Sequence, residues 1–479
     1  MNLLKIKNGF LTFLNGYIFP VCVAVLALIS SIFGLEIVTI CAIAIICSLG
    51  IIFCDDLRFM LSPVLFITFA ISNKSLSSGL FGKTGFVISV VVAILVLVGS
   101  IIAHFVIYKV SFKPVLKSKL FPAFIVLFLV YLLGGAFNLK KYSIDGVNLG
   151  GFSIEGLIFV LVMILMLSIP FFLLGSGIKS SSDLRKYFVW VLFLGSIIVT
   201  LSVFHLICFG DVFKNGSIIK EKIVLGWSTW NGIGAILTVL LPVHFYIASI
   251  YKRGYIFFIT GIISYLAIVL TLSRASLLVS TLILILCVIY GCIKGENKKL
   301  FRILTLVGII VAILGIIILW NKISAVLVDY LNRGFDDNGR FQLYVWALQT
   351  FLRHPILGSG FEYVYVIKPV QSDILAIGTP FLCHNTLIEI LAACGIIGFC
   401  GYIYHRYKTA KLFIERRRDS FSVFMALCII GLLLTSLLDV HFFIFYHILY
   451  YSSILTMVEK VSSTEIKQTE CSSCENISE

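Results

Sequence analysis

The sequence predicts an all-α polytopic integral membrane protein of about 12–14 transmembrane helices, with one large outward loop carrying short helices. Three observations carry this. The 479 residues are 60% hydrophobic and 13% charged, where a soluble domain carries about 25% charged residues. Mean hydropathy is +1.09. Many apolar runs reach the roughly 18–20 residues that span a bilayer as a helix, whereas a membrane barrel would show short alternating segments.

Fourteen candidate spans follow in chain order: 10–30, 37–54, 59–72, 85–108, 120–137, 156–176, 187–209, 231–250, 255–272, 275–293, 303–321, 385–405, 420–438 and 441–458. The first follows Lys5 and Lys7 without a small-residue cleavage pattern, so it is read as a helix and not as a signal peptide. The third is short for a full crossing. Residues 255–293 are apolar throughout, and one helix of that length would measure about 58 Å, nearly twice the hydrocarbon core. The chain must therefore turn near Ser273-Arg274, and by the same argument near Asp439-Val440-His441. These spans form a single membrane domain over 1–479. Residues 322–384 are a large extracytoplasmic loop before the last three helices, and polar residues 459–479 form a disordered tail.

The net charge of +14 is spread between hydrophobic segments instead of gathering on one soluble face, so it sets orientation and does not point to nucleic acid. With the N-terminus inside, the inner segments carry 24 of the 37 lysines and arginines. Both termini are then cytoplasmic, and the large loop faces outward. Most of the 13 cysteines lie in apolar runs as small buried hydrophobes. Cys471 and Cys474 form a lone C-x-x-C without a second pair. A nucleotide-binding glycine loop is absent.

The loop holds the chemistry-bearing residues. Phe341, Tyr344, Val345, Leu348, Phe351 and Leu352 recur at three- and four-residue intervals. They predict a helix of about 13 residues lying along the outer membrane surface on that stripe, with Asn338 as N-cap and Pro355, Gly358 and Gly360 ending it. Arg340 falls in its first turn, where a cation is unfavourable. It is either a solvated side chain or, with the free N–H groups, the holder of an anion. Arg274, in L-T-L-S-R-A-S, either snorkels from a helix end or lines a cavity facing an anionic partner. His384 precedes a helix whose Thr386 and Glu389 have capping-box spacing. It serves either the structure or, as a neutral imidazole, as a base. His354 serves the turn before Pro355. Arg353, Asp439 and His441 are reserve candidates. No D-x-D pair or carboxylate cluster suited to Mg²⁺ occurs outside; Asp336-Asp337 reads as the turn before the loop helix. No metal or cofactor is therefore expected.

In order and spacing, G-R-F-Q-L-Y-V-W-A, H-P-I-L-G-S-G-F, H-N-T-L-I-E and G-I-I-G resemble the O-antigen ligase and O-antigen polymerase superfamily of bacterial cell envelopes. The upstream L-T-L-S-R-A-S and L-G-W-S-T-W-N-G-I-G-A fit it as well. The motifs cover about residues 220–400. The resemblance implies active-site roles for Arg274, Arg340 and His384, and donor contacts at Asn231 and Asn385. The match at Asn231 departs from the pattern, since the family often has proline where this chain has Trp230.

The implied activity is a metal-independent membrane glycosyltransferase. It would polymerise polyprenyl-diphosphate-linked repeat units of a surface polysaccharide on the outer face of the bacterial cytoplasmic membrane. The substrate would be the lipid-linked glycan, and other polysaccharide-assembly membrane proteins are expected partners. The alternative is a ligase passing finished glycan to another acceptor. A lipid-glycan flippase, from a different class, would place charges near mid-membrane and show repeats, and neither feature is seen.

Overall fold

In a computed structural model of the chain, the described residues are 2–72, 84–136, 142–144, 147–149, 154–214, 217–332, 340–361 and 383–475. They form helices with three short two-stranded hairpins. All fourteen expected spans fall on helical segments. Among the described residues seven helices are long and apolar enough to cross a membrane, or eight if the bent pair at the N-terminus counts as one span. That pair, α1 (Asn2–Asn15) and α2 (Ile18–Phe33), corrects the first expected span: it breaks by 72° at Gly16-Tyr17.

Helix α3 (Glu36–Phe53) is followed by α4 (Leu57–Ala70), the short third span. α4 starts beside the end of α3. It finishes at Ser72, whose N–H donates to Glu36 Oε1 at 2.7 Å. It therefore retraces the whole of α3, with 3-10 turns at both ends that rise faster per residue than α-helix. Then come α5 (Thr84–Ile107), α6 (Phe121–Ala136), α7 (Ile154–Ser168) and α8 (Leu184–Phe209). The next four are α9 (Trp230–Ile250), α10 (Gly254–Leu270), α11 (Arg274–Lys294) and α12 (Lys298–Asn332). Last are α13 (Arg340–Arg353), α14 (Thr386–Glu415), α15 (Ser420–Ser436) and α16 (Phe445–Glu475).

The core is built around α9, which is buried from Gly232 to Ser249 and packs on α8, α10, α11 and α15. Both expected hidden turns are present, at Thr271–Ser273 and at Leu437–Val440. Because the chain reverses there, the starts of α9, α11 and α14 and the turn after α15 share one end of the bundle. Arg185, Asn297, Glu415 and Asp419 sit at the other end, where Arg185 pairs with Asp419 at 3.2 Å.

Two boundaries differ from expectation. α12 runs on to Asn332, so the large loop starts about ten residues later. α16 continues as helix to Glu475 across the expected disordered tail. No Gly or Pro interrupts residues 445–475, so no residue there forces the helix to stop.

The loop helix α13 ends where expected, just before Pro355. Its expected cap Asn338, with Arg333, Asp336 and Asp337, lies outside the described residues. The face it packs on α14 is Leu343, Trp346, Ala347 and Thr350. The expected stripe is a second apolar face, where Phe341 and Leu352 are exposed and Tyr344 is half-buried. Small Ala347 lets α14 approach on the narrower face.

A break in α14 fixes α13 against it. Gly395 takes φ +63° inside the helix, a left-handed conformation that glycine adopts without steric cost. The segment after α13 fills the break. Ile396 N–H donates to Pro355 O at 2.8 Å, Gly360 N–H to Ala393 O at 2.8 Å, and Ser359 N–H to Ala392 O at 3.0 Å. A Cβ on Gly395 would sit 2.3 Å from Ile356 O, and one on Gly358 (φ +73°) 2.3 Å from Ala393 O. H-P-I-L-G-S-G and C-G-I-I-G are thus two halves of one backbone joint. Its effect is to set Arg340 on α13 in register with His384 at the start of α14.

Candidate active site

Four helix ends meet in one polar line. His384 Nδ1 lies 2.8 Å from Asp439 Oδ1, and Asp439 Oδ2 accepts from Asn231 Nδ2 at 3.0 Å. Ser273 Oγ lies 3.0 Å from both Asn231 Oδ1 and Ser276 Oγ. The line joins the starts of α14, α9 and α11 to the turn after α15. Asp439 also accepts from the Val440 N–H at 2.8 Å. Burial works to raise the Asp439 pKa. The His384 hydrogen bond, the His441 and His384 charges and the Val440 N–H outweigh it and hold the carboxyl below the usual carboxylate range. Asp439 is therefore ionised at neutral pH, and its bond to Nδ1 turns the other ring nitrogen of His384 away from the carboxylate.

His384 adopts φ +53°, a left-handed conformation in which histidine is several-fold enriched among non-glycine residues. Its neighbours fix that turn. Asn385 Oδ1 caps α14 by accepting from the Leu387 and Ile388 N–H groups at 3.0 and 3.1 Å. Glu389 Oε2 accepts from the Cys383 N–H at 2.9 Å. The helix starts where the sequence implied, but Asn385 is the cap and Glu389 reaches one turn further back than a capping box would. Asn385 Nδ2 donates to Leu437 O at 2.9 Å.

Arg340 is half-buried, and its Nη1 donates to Leu438 O at 2.7 Å. A cation unfavourable at the start of its own helix is thereby placed at the carbonyl end of α15, where the dipole favours it. One turn on, Tyr344 Oη donates to His384 O at 3.4 Å. Arg274 is the first residue of α11 and is exposed.

Lys220, which sequence reading did not single out, completes a cationic group. Its Nζ lies 5.4 Å from the centre of the Trp230 ring. Burial lowers its pKa first, and the Arg274 and Arg340 charges lower it further. Three cations thus share one corner beside the His384–Asp439 pair. Lys220 lay hidden among the lysines of the 214–222 stretch; its closeness to the W-N step at Trp230-Asn231 was the usable signal.

The reserve residues separate. Asp439 joins the site as the partner of His384. His441 is buried with its ring 5.1 Å from His447, and neither of its ring nitrogens has a hydrogen-bond partner among the described residues. Arg353 closes the far end of α13, about 20 Å along the axis from Arg340 at 1.5 Å per residue. Among the described residues no three His, Cys, Asp or Glu side chains converge as a metal site.

A helical membrane bundle with a His–Asp pair beside clustered cations holds the groups needed to activate a hydroxyl next to an anion. Residues 257–403 match the family model described as O-antigen ligase, which supports membership of the O-antigen ligase and polymerase superfamily and implies a glycosyl-transfer enzyme. The matched segment contains Arg274, Arg340 and His384. No curated protein matches the chain.

Proposed function

We propose that the protein transfers glycan from a polyprenyl-diphosphate carrier to an acceptor hydroxyl, and that it polymerises repeat units of a surface polysaccharide. The observation that carries this reading is the His384–Asp439 pair on the same corner as Arg274, Arg340 and Lys220. In this mechanism Nε2 of His384, the ring nitrogen turned away from Asp439, takes the acceptor hydroxyl proton, and Asp439 stabilises the imidazolium that forms. The acceptor oxygen attacks the anomeric carbon, the bond from that carbon to the diphosphate oxygen breaks, and the electron pair leaves with the diphosphate. Arg274, Arg340 and Lys220 stabilise that growing charge as fixed cations, without a metal. A general base contributes about 10²–10⁴-fold. A preorganised charge donor contributes about 3–4 kcal/mol in a partly dry site, and guanidinium groups suit the bidentate grip on phosphate oxygens.

The site faces the outside of the bacterial cytoplasmic membrane and the termini face the cytoplasm, a reading that the lysine and arginine distribution supports. A ligase acting on the same donor is the second reading, favoured by the family description. Deleting the gene and sizing the glycan left on the lipid carrier separates them. Accumulated single repeat units support the polymerase, and long polymer stranded on the lipid supports the ligase. Donor trapped on the inner face would refute both.

A further inference from the structure

The 3-10 turn Lys220–Lys222 has two sides. Lys220 faces the cationic corner, while Glu221 and Lys222 line a separate open cleft of about 720 Å³. The opposite walls are the ends of α2 and α8. The hairpin that follows, Val224–Leu225 paired with Ser228–Thr229, closes the base. Its Gly226 lies so close to Ser72 that a Cβ there would meet the Ser72 carbonyl oxygen at 2.2 Å. The cleft and the cationic corner are therefore two sides of one thin partition, at the same end of the bundle.

The lining selects a chemistry. Asp211 and Lys222 pair across the cleft at 2.5 Å, and Glu221 and His205 add further acceptors and donors. Two rings border it, Phe209 at 81% exposure and Phe33 at 68%, with Phe209 packed 5.3 Å from the His205 ring. Carboxylates balance the lysine, so the cleft does not favour a diphosphate. An acyl chain would take these charged groups out of water and offer them no hydrogen bonds in return, at a cost of several kcal/mol per desolvated ion. A ligand with many hydroxyls and apolar ring faces satisfies both kinds of group, and the volume lies within the roughly 300–1,000 Å³ of small-molecule sites.

We propose that this cleft, bounded by Phe33, His205, Phe209, Asp211, Glu221 and Lys222, is the sugar subsite for the donor glycan, holding the rings that lie next to the diphosphate at Lys220. The inference rests on the donor class proposed above. A donor gripped at its diphosphate by the cations must lead its first sugars away from them, and the cleft begins one residue from Lys220. Sugar contacts made equally in ground and transition states lower KM and leave kcat unchanged.

The test uses full-length protein in detergent and the oligosaccharide released by mild acid from the cell's own lipid-linked repeat unit, so that no diphosphate is present. Calorimetry on the wild type should show binding. Phe209→Ala, a change at a ring 81% exposed and outside the core, should weaken it about tenfold or more, Phe209→Trp should retain it, and Glu221→Gln should weaken it. In transfer assays with intact lipid-linked donor, Phe209→Ala should raise donor KM by a similar factor at unchanged kcat. Absence of oligosaccharide binding to the wild type, or equal binding by wild type and Phe209→Ala, overturns the subsite whatever the transfer assay gives. Binding that depends on Phe209 in a protein unable to transfer glycan would uphold the subsite and refute the proposed reaction.

Discussion

Replacing Asp439 by asparagine tests the catalytic pair at its most informative atom. The carboxylate accepts three hydrogen bonds, from His384, Val440 and Asn231, at 2.8, 2.8 and 3.0 Å. An amide has one oxygen. If that oxygen keeps His384 and Val440, its NH₂ faces the Asn231 NH₂, two donors opposed, while Asn231 Oδ1 stays engaged by Ser273. If the amide flips, its NH₂ meets His384 Nδ1 and moves the imidazole proton to the nitrogen that should act as base. In either pose the anion beside the developing imidazolium is gone. Two charges about 4 Å apart interact by about 4 kcal/mol at an effective dielectric of 20, or about 10³-fold in rate at 1.36 kcal/mol per decade. The His384 side chain is 36% exposed, and solvent screening reduces this toward 10²-fold. The expected outcome is a loss of about 10²–10³-fold in kcat, with donor KM and expression near wild type. The assay is release of polyprenyl diphosphate from purified lipid-linked donor. A kcat within threefold of wild type, in a protein that purifies normally, would refute the dyad.

Further outcomes follow from the same geometry. Arg340→Gln should lower turnover by about 10²–10³-fold, the range for one lost charge donor. Arg340→Lys should retain part of the activity, since an ammonium keeps the charge but loses the fork. Arg353→Gln, at the other end of α13, should be near wild type, and equal damage there would show that the arginines act only on the loop fold. Gly395→Ala forces an alanine to φ +63° against the Ile356 carbonyl oxygen. It should cost more than the roughly 1–2 kcal/mol of a left-handed alanine alone, read as a lower melting temperature in detergent, and an unchanged melt would disprove the backbone joint. In a background without native cysteines, Ser372→Cys should react with a membrane-impermeant thiol reagent in intact cells, and reaction only after lysis would invert the orientation.

The architecture was legible because bilayer thickness limits helix length, so apolar runs and the overlong 255–293 stretch fixed both spans and turns. The start of α14 and the end of α13 were legible from capping and breaker residues. Which face of α13 packs was not, because two apolar faces compete and only the neighbour decides. Glu389 misled by spacing, since a carboxylate four residues past a cap has a second target in the Cys383 N–H. Asp439 stood out as an acid closing an apolar run, but its partner His384 lies 55 residues away, and only the reversal at Leu437–Val440 brings them together. Lys220 was passed over for a related reason. Its neighbours Arg274 and Arg340 are remote in sequence, and no periodicity encodes their approach.

The most direct test of the central claim is a reconstitution with purified protein, purified lipid-linked repeat unit and excess chelator. The account predicts glycan lengthened by whole repeat units on the carrier, stoichiometric release of polyprenyl diphosphate, and loss of both by about 10²-fold or more in His384→Ala. Turnover that disappears in chelator and returns with Mg²⁺ or Mn²⁺, or a His384→Ala protein as active as wild type, would contradict it.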